Sequence, residues 1–424
     1  MTWQETQLVE PTPERNDAKR GGAELSAAGP SQGAKAPLGG SAGGNDAKRG
    51  GTALIMAGGT GGHIFPGLAV AEALRARGWT VHWLGVPGAM EDRLVTPRGF
   101  AFEGVQFSGV RGKGPLTLAM APFKLLRAFW QSWQVVRRVQ PDVVLGLGGY
   151  ITFPGGMMAV AAGKPLVLHE QNSVAGMANK VLAKVAKRIF TAYPDALPRG
   201  EWVGNPLRTE FLSQPAPEAR FAARTGPLKV LVLGGSLGAK ALNELLPAAL
   251  AIMAPEARPL VLHQSGNQHI DALRTAYNRV GVRVLGDDAE TWPSSPTRVR
   301  VLPFIHDTAQ AMAEADLVIG RAGASTVTEL AAVGVASILV PFPFAVDDHQ
   351  THNAQFLVNA GAAQRIPQPQ LSAEWLAEEL KNTERTFLAN QAVKAKKMQK
   401  TKAVTDMVAA CERLATKGHP GGRA

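Results

Sequence analysis

Two glycine runs stand directly after short apolar segments. Gly58-Gly59-Thr60-Gly61-Gly62 follows Ala53-Leu54-Ile55-Met56-Ala57, and Gly234-Gly235-Ser236-Leu237-Gly238 follows Lys229-Val230-Leu231-Val232-Leu233. A glycine loop between a strand and a helix leaves backbone N–H groups free, and these groups together with the helix dipole bind phosphate. A third cluster, Gly146-Leu147-Gly148-Gly149-Tyr150, also ends an apolar run. None is a standard fingerprint. The segment from Gly59 reads Gly-Thr-Gly-Gly-His-Ile, without the last glycine of G-x-G-x-x-G, and no Gly-Lys-Ser/Thr occurs. Each loop alone could serve only a tight turn. Three of them at strand ends, in two domains, point to a diphosphate ligand held between the domains.

His63 sits where the helix after the first loop begins, and an imidazole there can act as a general base. The helix dipole favours its neutral form. His169-Glu170-Gln171-Asn172 ends another apolar run, and four adjacent polar side chains in that position rarely belong to a core. In Arg321-Ala322-Gly323-Ala324-Ser325-Thr326-Val327-Thr328-Glu329, small residues let a ligand approach the backbone, and a carboxylate one turn into the helix can accept bonds from ribose hydroxyls. Asp347-Asp348-His349-Gln350, with Asn353, reads as a polar helix start after a proline turn. His349 and His352 have no evident third ligand, so no metal site is expected.

These residues need a scaffold of strands that alternate with helices. Apolar runs at 53–57, 79–84, 142–147, 165–169 and 188–192 are separated by helical patterns, and the series restarts near residue 228 with runs at 229–233, 260–263, 299–302, 317–319 and 337–340. That alternation predicts an α/β chain with mostly parallel sheets, built as two Rossmann-like domains. The join is expected near Gly204-Asn205-Pro206-Leu207. The expected division is an extension over 1–51, domains over 52–205 and 206–385, and a C-terminal piece over 386–424. Residues 1–51 are rich in Gly, Ala, Ser and Pro, and the heptapeptide at 16–22 recurs at 45–51. Such a composition predicts disorder. Residues 386–417 read as one basic helix whose lysines, Lys394, Lys396, Lys397, Lys400 and Lys402, form a solvated face.

Composition narrows the function. The chain of 424 residues carries 45 Lys+Arg against 34 Asp+Glu, a net charge of +11, and one Cys. A disulfide framework and a Cys-based metal site are excluded. The basic balance suits an anionic partner. With only 3 Tyr and no nucleic-acid motif, nucleic acid is the least fitting candidate. Residues 143–163 lack charge but are broken by Gly146, Gly148, Gly149, Pro154, Gly155 and Gly156, so they read as strand, loop and helix rather than a membrane span. No secretory signal is visible in the first 50 residues. Between Val110 and Arg138, the basic loop Arg111-Gly112-Lys113-Gly114 precedes Phe123, Phe129, Trp130 and Trp133, which mingle with Lys124, Arg127, Arg137 and Arg138. That mixture suits either an interfacial membrane surface or a core helix with basic solvent residues.

Taken in order, the segments resemble the MurG family of peptidoglycan N-acetylglucosaminyltransferases. The residues that carry the resemblance are 58–67, Gly148-Gly149-Tyr150, His169 to Asn172, Val203 to Arg208, Gly234 to Ala239, Arg321 to Glu329 and Asp348-His349-Gln350. The match runs from about Thr52 to near the C-terminus. The long extension before Thr52 and a polar stretch at 286–297 depart from the family pattern without touching a motif.

The resemblance implies a GT-B fold, with two doubly wound domains facing across a cleft. It implies an inverting transfer of N-acetylglucosamine from UDP-N-acetylglucosamine to the C4 hydroxyl of the muramyl sugar of lipid I, giving lipid II. The N-terminal domain would hold the acceptor and meet the membrane, the C-terminal domain would hold the UDP-sugar, and the last helix would return to the N-terminal domain. Carried over by motif, Thr60, Gly61 and Gly62 line the cleft, Asn172 and Gln350 face the donor sugar, and Arg208 and Ser236 serve the nucleotide phosphates. Ile305 lies at the uracil, and Ala324, Ser325, Thr326, Val327, Thr328 and Glu329 hold the nucleotide, with Glu329 on the ribose. Gly148, Gly149 and Tyr150 are expected at the acceptor. His63 is the candidate base, and Glu329 and Asn172 complete the catalytic set. No cofactor and no bound metal are expected. The implied location is peripheral, on the cytoplasmic side of the inner membrane, with an anionic lipid surface and cell-wall and division proteins as partners. A GT-B glycosyltransferase with another glycolipid acceptor, a nucleotide-sugar epimerase and a non-catalytic scaffold are the competing readings.

Overall fold

Fourteen strands build two separate sheets in the computed structural model, which describes residues 50–107, 120–234, 238–286 and 292–417. Residues 1–49 of the expected extension, the basic loop at 111–114, Ser236 with its neighbours, and residues 287–291 of the polar stretch lie outside the described residues.

The first sheet uses β1 (Thr52–Met56), β2 (Thr80–Gly85), β3 (Ala101–Gly104), β4 (Val143–Gly146), β5 (Leu166–Glu170), β6 (Arg188–Thr191) and β7 (Glu201–Trp202). The second uses β8 (Lys229–Leu233), β9 (Leu260–Gln264), β10 (Arg283–Val284), β11 (Arg298–Leu302), β12 (Leu317–Gly320), β13 (Ala336–Leu339) and β14 (Ala363–Arg365). Every neighbouring pair is parallel. Beyond Thr52 and Lys229, which open β1 and β8, the central strands β1, β4, β8 and β12 are apolar because helices cover both faces. Ala53 and Ile55 of β1 enter one core while Leu54 and Met56 enter the other. In β8, Val230 and Val232 turn one way, Leu231 and Leu233 the other. The alternation is the period-2 geometry of a strand.

Strand order places the glycine loops. The sheets run β3-β2-β1-β4-β5-β6-β7 and β10-β11-β9-β8-β12-β13-β14. The chain therefore winds one way from β1 and the other way from β4, and it does the same at β8 and β12. Such a reversal opens a crevice at the carboxyl ends of the two strands, where ligands bind in these folds. The loops after β1 and β4 share the first crevice. Gly234, directly after β8, and the Arg321–Glu329 stretch after β12 share the second.

The basic C-terminal helix is two helices, Arg385–Lys397 and Ala403–Lys417. The first buries Leu388, Ala392 and Ala395 in the second domain. The second buries Met407, Val408 and Cys411 against the first sheet. One straight helix cannot serve both cores, so it breaks where the chain crosses between them. There Lys400 lies over the Trp202 ring at 3.9 Å, against Gly204, where a Cβ would meet it at 2.4 Å. Lys396 donates to the Ala332 carbonyl. Lys396 is half-buried there, while Lys394, Lys397, Lys400 and Lys402 are exposed and keep the solvated face.

Helix Ala121–Val139 settles the aromatic stretch. Ala128, Ser132, Val135 and Val136 face inward, so Phe123, Leu126 and Trp130 point outward with 67%, 65% and 61% exposure. Phe129 packs edge-on against Phe153 with centroids 5.6 Å apart, and Trp133 is half-buried under Arg137. The stretch thus divides into an exposed apolar face and a packed one. Among the described residues, no helix is long and apolar enough to cross a membrane.

Candidate active site

The first loop is tied down by a carboxylate from elsewhere in the chain. Glu91, buried at the start of helix Met90–Val95, accepts the Gly59 N–H and the Val86 N–H, each at 3.1 Å. Thr60 is the extended N-cap of helix Gly61–Ala76, and its carbonyl accepts the N–H groups of His63 and Ile64. The loop after β4 lies directly on the loop after β1. The Gly58 N–H donates to the Gly148 carbonyl at 3.3 Å. A Cβ on Gly149 (φ +89°) would come within 2.4 Å of the Gly58 carbonyl oxygen. One on Gly148 (φ +102°) would come within 2.8 Å of the His63 ring. These two glycines therefore let one loop seat the other and let the imidazole lie where it does. Tyr150 projects outward, 56% exposed.

The polar quartet after β5 separates into structural and available groups. His169 is buried, with Nε2 paired to the Gly204 carbonyl at 2.9 Å; burial pushes its pKa down to about 4, so it is neutral. Glu170 is also buried. It accepts from Asn172 N and Nδ2, from Gly176 N and from Asn179 Nδ2, and so organises the loop. Gln171 Oε1 lies 3.1 Å from His63 Nδ1. Half-exposed Asn172 and His63 remain to meet a ligand.

In the second domain, helix Ala324–Val333 presents its residues unequally. Val327 is core. The Thr328 hydroxyl donates to the Ala324 and Ser325 carbonyls and accepts from Asn205 Nδ2, so it is fully engaged. The Ser325 hydroxyl is buried with no partner among the described residues. Thr326 and Glu329 are half-buried. Burial raises the Glu329 carboxyl to about 7, and the Arg208 guanidinium pulls the other way. Exposed Arg208 leans on the Phe211 ring at 5.1 Å. Ile305 is buried, its N–H held by Gln264 Oε1 and its carbonyl by the Thr308 hydroxyl, both at 3.1 Å. Gln350 Oε1 accepts the Phe342 N–H at 2.9 Å. Asp347 and Asp348 just before it have φ of 53° and 50°, a strained entry to helix His349–Asn359.

The two crevices face each other. A Cβ on Gly62 would stand 3.9 Å from Ser325 Oγ. Asn353, fully buried, accepts from the Ser173 N–H and hydroxyl and donates to Asn172 Oδ1 and the Ala322 carbonyl. The Tyr193 hydroxyl donates to the Ala324 carbonyl at 3.2 Å. His63, Asn172, the first loop and the Ser325–Glu329 face thus belong to one cleft. Sequence reasoning missed Glu91 and Tyr193, had Asn205 only within the Val203–Arg208 motif and the expected join, and saw Asn353 only as part of a polar helix start. No local pattern marks Glu91 or Tyr193.

Residues 53–191 match the glycosyltransferase family 28 N-terminal domain, and residues 229–409 match its C-terminal domain. A Paracidovorax citrulli protein is 64% identical over 356 residues, which is 84% of this chain and 96% of the relative. It is named UDP-N-acetylglucosamine–N-acetylmuramyl-(pentapeptide) pyrophosphoryl-undecaprenol N-acetylglucosamine transferase. The chain belongs to the MurG family. A second protein of that name, from Polaromonas sp., is 62% identical over 92% of this chain and 99% of its own length. The crystal structure of Acinetobacter baumannii MurG is 40% identical, with a TM-score of 0.72 over 86% of this chain and 99% of that one. The kitacinnamycin glycosyltransferase, 16% identical over the same shares with a TM-score of 0.61, has the fold alone in common. The MurG-family architecture is GT-B, and its two matched segments here begin beside β1 and at β8.

Proposed function

We propose that this enzyme transfers N-acetylglucosamine from UDP-N-acetylglucosamine to the C4 hydroxyl of the muramyl sugar of lipid I, giving lipid II with inversion at C1. Identity of 64% across 96% of the Paracidovorax transferase carries this reading. The facing of Gly62 and Ser325 across the cleft supports it.

On this reading the UDP-sugar lies on the second domain. Ala324 to Glu329 hold the nucleotide, Glu329 takes the ribose hydroxyls and Ile305 lies at the uracil. Arg208 and Ser236 compensate the diphosphate, and Gln350 and Asn172 orient the sugar. Thr60, Gly61, Gly62, Gly148, Gly149 and Tyr150 receive the acceptor. His63 takes the proton of the C4 hydroxyl as that oxygen attacks C1, and the C1–O bond to UDP breaks on the opposite face. The developing diphosphate charge meets backbone donors, the helix dipole and Arg208, which makes a chelated metal unnecessary. Phe123, Leu126 and Trp130, beside exposed Lys124 and Arg127, seat the enzyme on the cytoplasmic face of the inner membrane.

The full chain, given UDP-N-acetylglucosamine and a short-chain lipid I analogue with and without a chelator, should form the disaccharide equally in both arms by mass spectrometry. UDP binding without product would move the search to another glycolipid acceptor. Loss of product with chelator would overturn the metal-free mechanism.

A further inference from the structure

His63 is held from two sides. Its ring lies against Gly148, where a Cβ would come within 2.8 Å of both Nδ1 and Cε1. On the other side, Gln171 Oε1 lies 3.1 Å from Nδ1. Gln171 is 1% exposed, and the residues beside it are anchored. His169 is paired with the Gly204 carbonyl, and both carboxylate oxygens of Glu170 are engaged by their own loop. The amide therefore has little room to leave the imidazole.

A neutral imidazole carries one proton, and an amide oxygen can only accept. With the amide oxygen turned to it at 3.1 Å and the amide nitrogen buried without a partner among the described residues, a neutral His63 carries its proton on Nδ1 and its lone pair on Nε2. The titratable groups nearby do not compete for Nδ1. His169 from β5 is neutral, and Glu170 is occupied by Asn172, Gly176 and Asn179. Glu91, from the far side of the first loop, is occupied by Gly59 and Val86, and Tyr150 projects outward.

We propose that Gln171 is a positioning residue whose amide oxygen holds His63 as the Nδ1–H tautomer and so leaves Nε2 as the base for the acceptor hydroxyl. The inference rests on the reading of His63 as that base. It adds the residue that decides which ring nitrogen does the work.

The test combines nitrogen NMR of the full chain, labelled with ¹⁵N-histidine, with kinetics of Gln171→Glu and Gln171→Leu. The wild-type His63 spectrum should show protonated Nδ1 and bare Nε2. Gln171→Leu should lose that preference and lower kcat about ten-fold or more, with UDP binding within about two-fold of wild type. Gln171→Glu should keep the tautomer. Its carboxylate stabilises the imidazolium, so the acid limb of kcat/KM should move about one pH unit upward while the alkaline plateau is retained. A glutamine that merely packed against the ring would leave the two tautomers mixed in the wild-type spectrum. Protonated Nε2 in the wild-type spectrum, which would mean that the amide donates to Nδ1, overturns the proposal. So does an unmoved acid limb in Gln171→Glu, which decides the matter even if Gln171→Leu does not fold. His63→Ala separates the two readings: retained turnover removes the base and the catalytic half of the proposal, while the spectrum alone still decides the tautomer.

Discussion

Asn353 Oδ1 receives both the backbone N–H and the hydroxyl of Ser173, at 2.9 and 2.8 Å, although the two residues belong to different domains and lie 180 positions apart. The amide nitrogen of the same side chain donates to Asn172 Oδ1 and to the Ala322 carbonyl. One buried side chain thus joins the domains and orients the asparagine assigned to the donor sugar.

Replacing Asn353 with Ala leaves several buried polar groups unpaired at once. Each buried unsatisfied group costs about 1–3 kcal/mol, so Asn353→Ala should lose about 2 kcal/mol or more of stability. The freed Asn172 should raise KM for UDP-N-acetylglucosamine. Chemical denaturation and initial rates check this, and a variant with unchanged stability and KM would show that the joint is not needed.

Glu329 gives the enzyme a pH dependence. Burial raises its carboxyl from the ordinary 4.5 to about 7. An acid with a raised folded-state pKa contributes stability that is full below about 4.5 and lost as pH rises through about 7. With Glu329 in its proposed place at the ribose, ligand binding runs the other way, because the hydroxyls would bond to the ionised form. Affinity for UDP-N-acetylglucosamine should therefore improve about ten-fold between pH 6 and pH 8 and then level off. Titration calorimetry of wild type against Glu329→Gln, which should be weak and flat with pH, measures it.

Gly148→Ala should separate turnover from nucleotide binding. The new Cβ would fall 2.8 Å from the His63 ring, at a backbone φ of +102°. The ring must move, and kcat should fall about ten-fold or more while UDP binding on the other domain stays within about two-fold. Equal losses in both would show that the substitution disturbs the whole cleft.

Phe123, Leu126 and Trp130 share the outward face of helix Ala121–Val139. Burying each fully in an apolar phase is worth about 1.5–3 kcal/mol. Changing all three to Ser should therefore weaken binding to anionic vesicles about a hundred-fold or more without changing the thermal transition. Phe129→Ser should instead lower stability, because Phe129 packs on Phe153. Vesicle sedimentation and calorimetry distinguish the faces, and unchanged sedimentation of the triple variant would remove this face from the membrane.

The sequence alone was enough for the architecture. Strands such as β1 and β8, apolar at every position after Thr52 and Lys229 and each running into glycines, require sheets covered on both faces, because an exposed face would show alternation. His63 at a helix start and Glu329 one turn into another were legible for the same reason: each depends on the spacing of near neighbours. Tertiary structure decided what those neighbours meet. Strand order brought the β4 loop onto the β1 loop, so Gly148 and Gly149 make room for His63 and Gly58, a reason for glycine that no local spacing expresses. Packing against helix Thr152–Ala161, with Ala128, Ser132, Val135 and Val136 inward, set the rotation of helix Ala121–Val139 and so divided Trp130 from Phe129. Glu91 reaches Gly59 across 32 residues, and Asn353 reaches Ser173 across 180. Hydrogen bonds over such separations leave no periodicity in the chain; tertiary packing, within the first domain for Glu91 and between the domains for Asn353, brings their partners within reach.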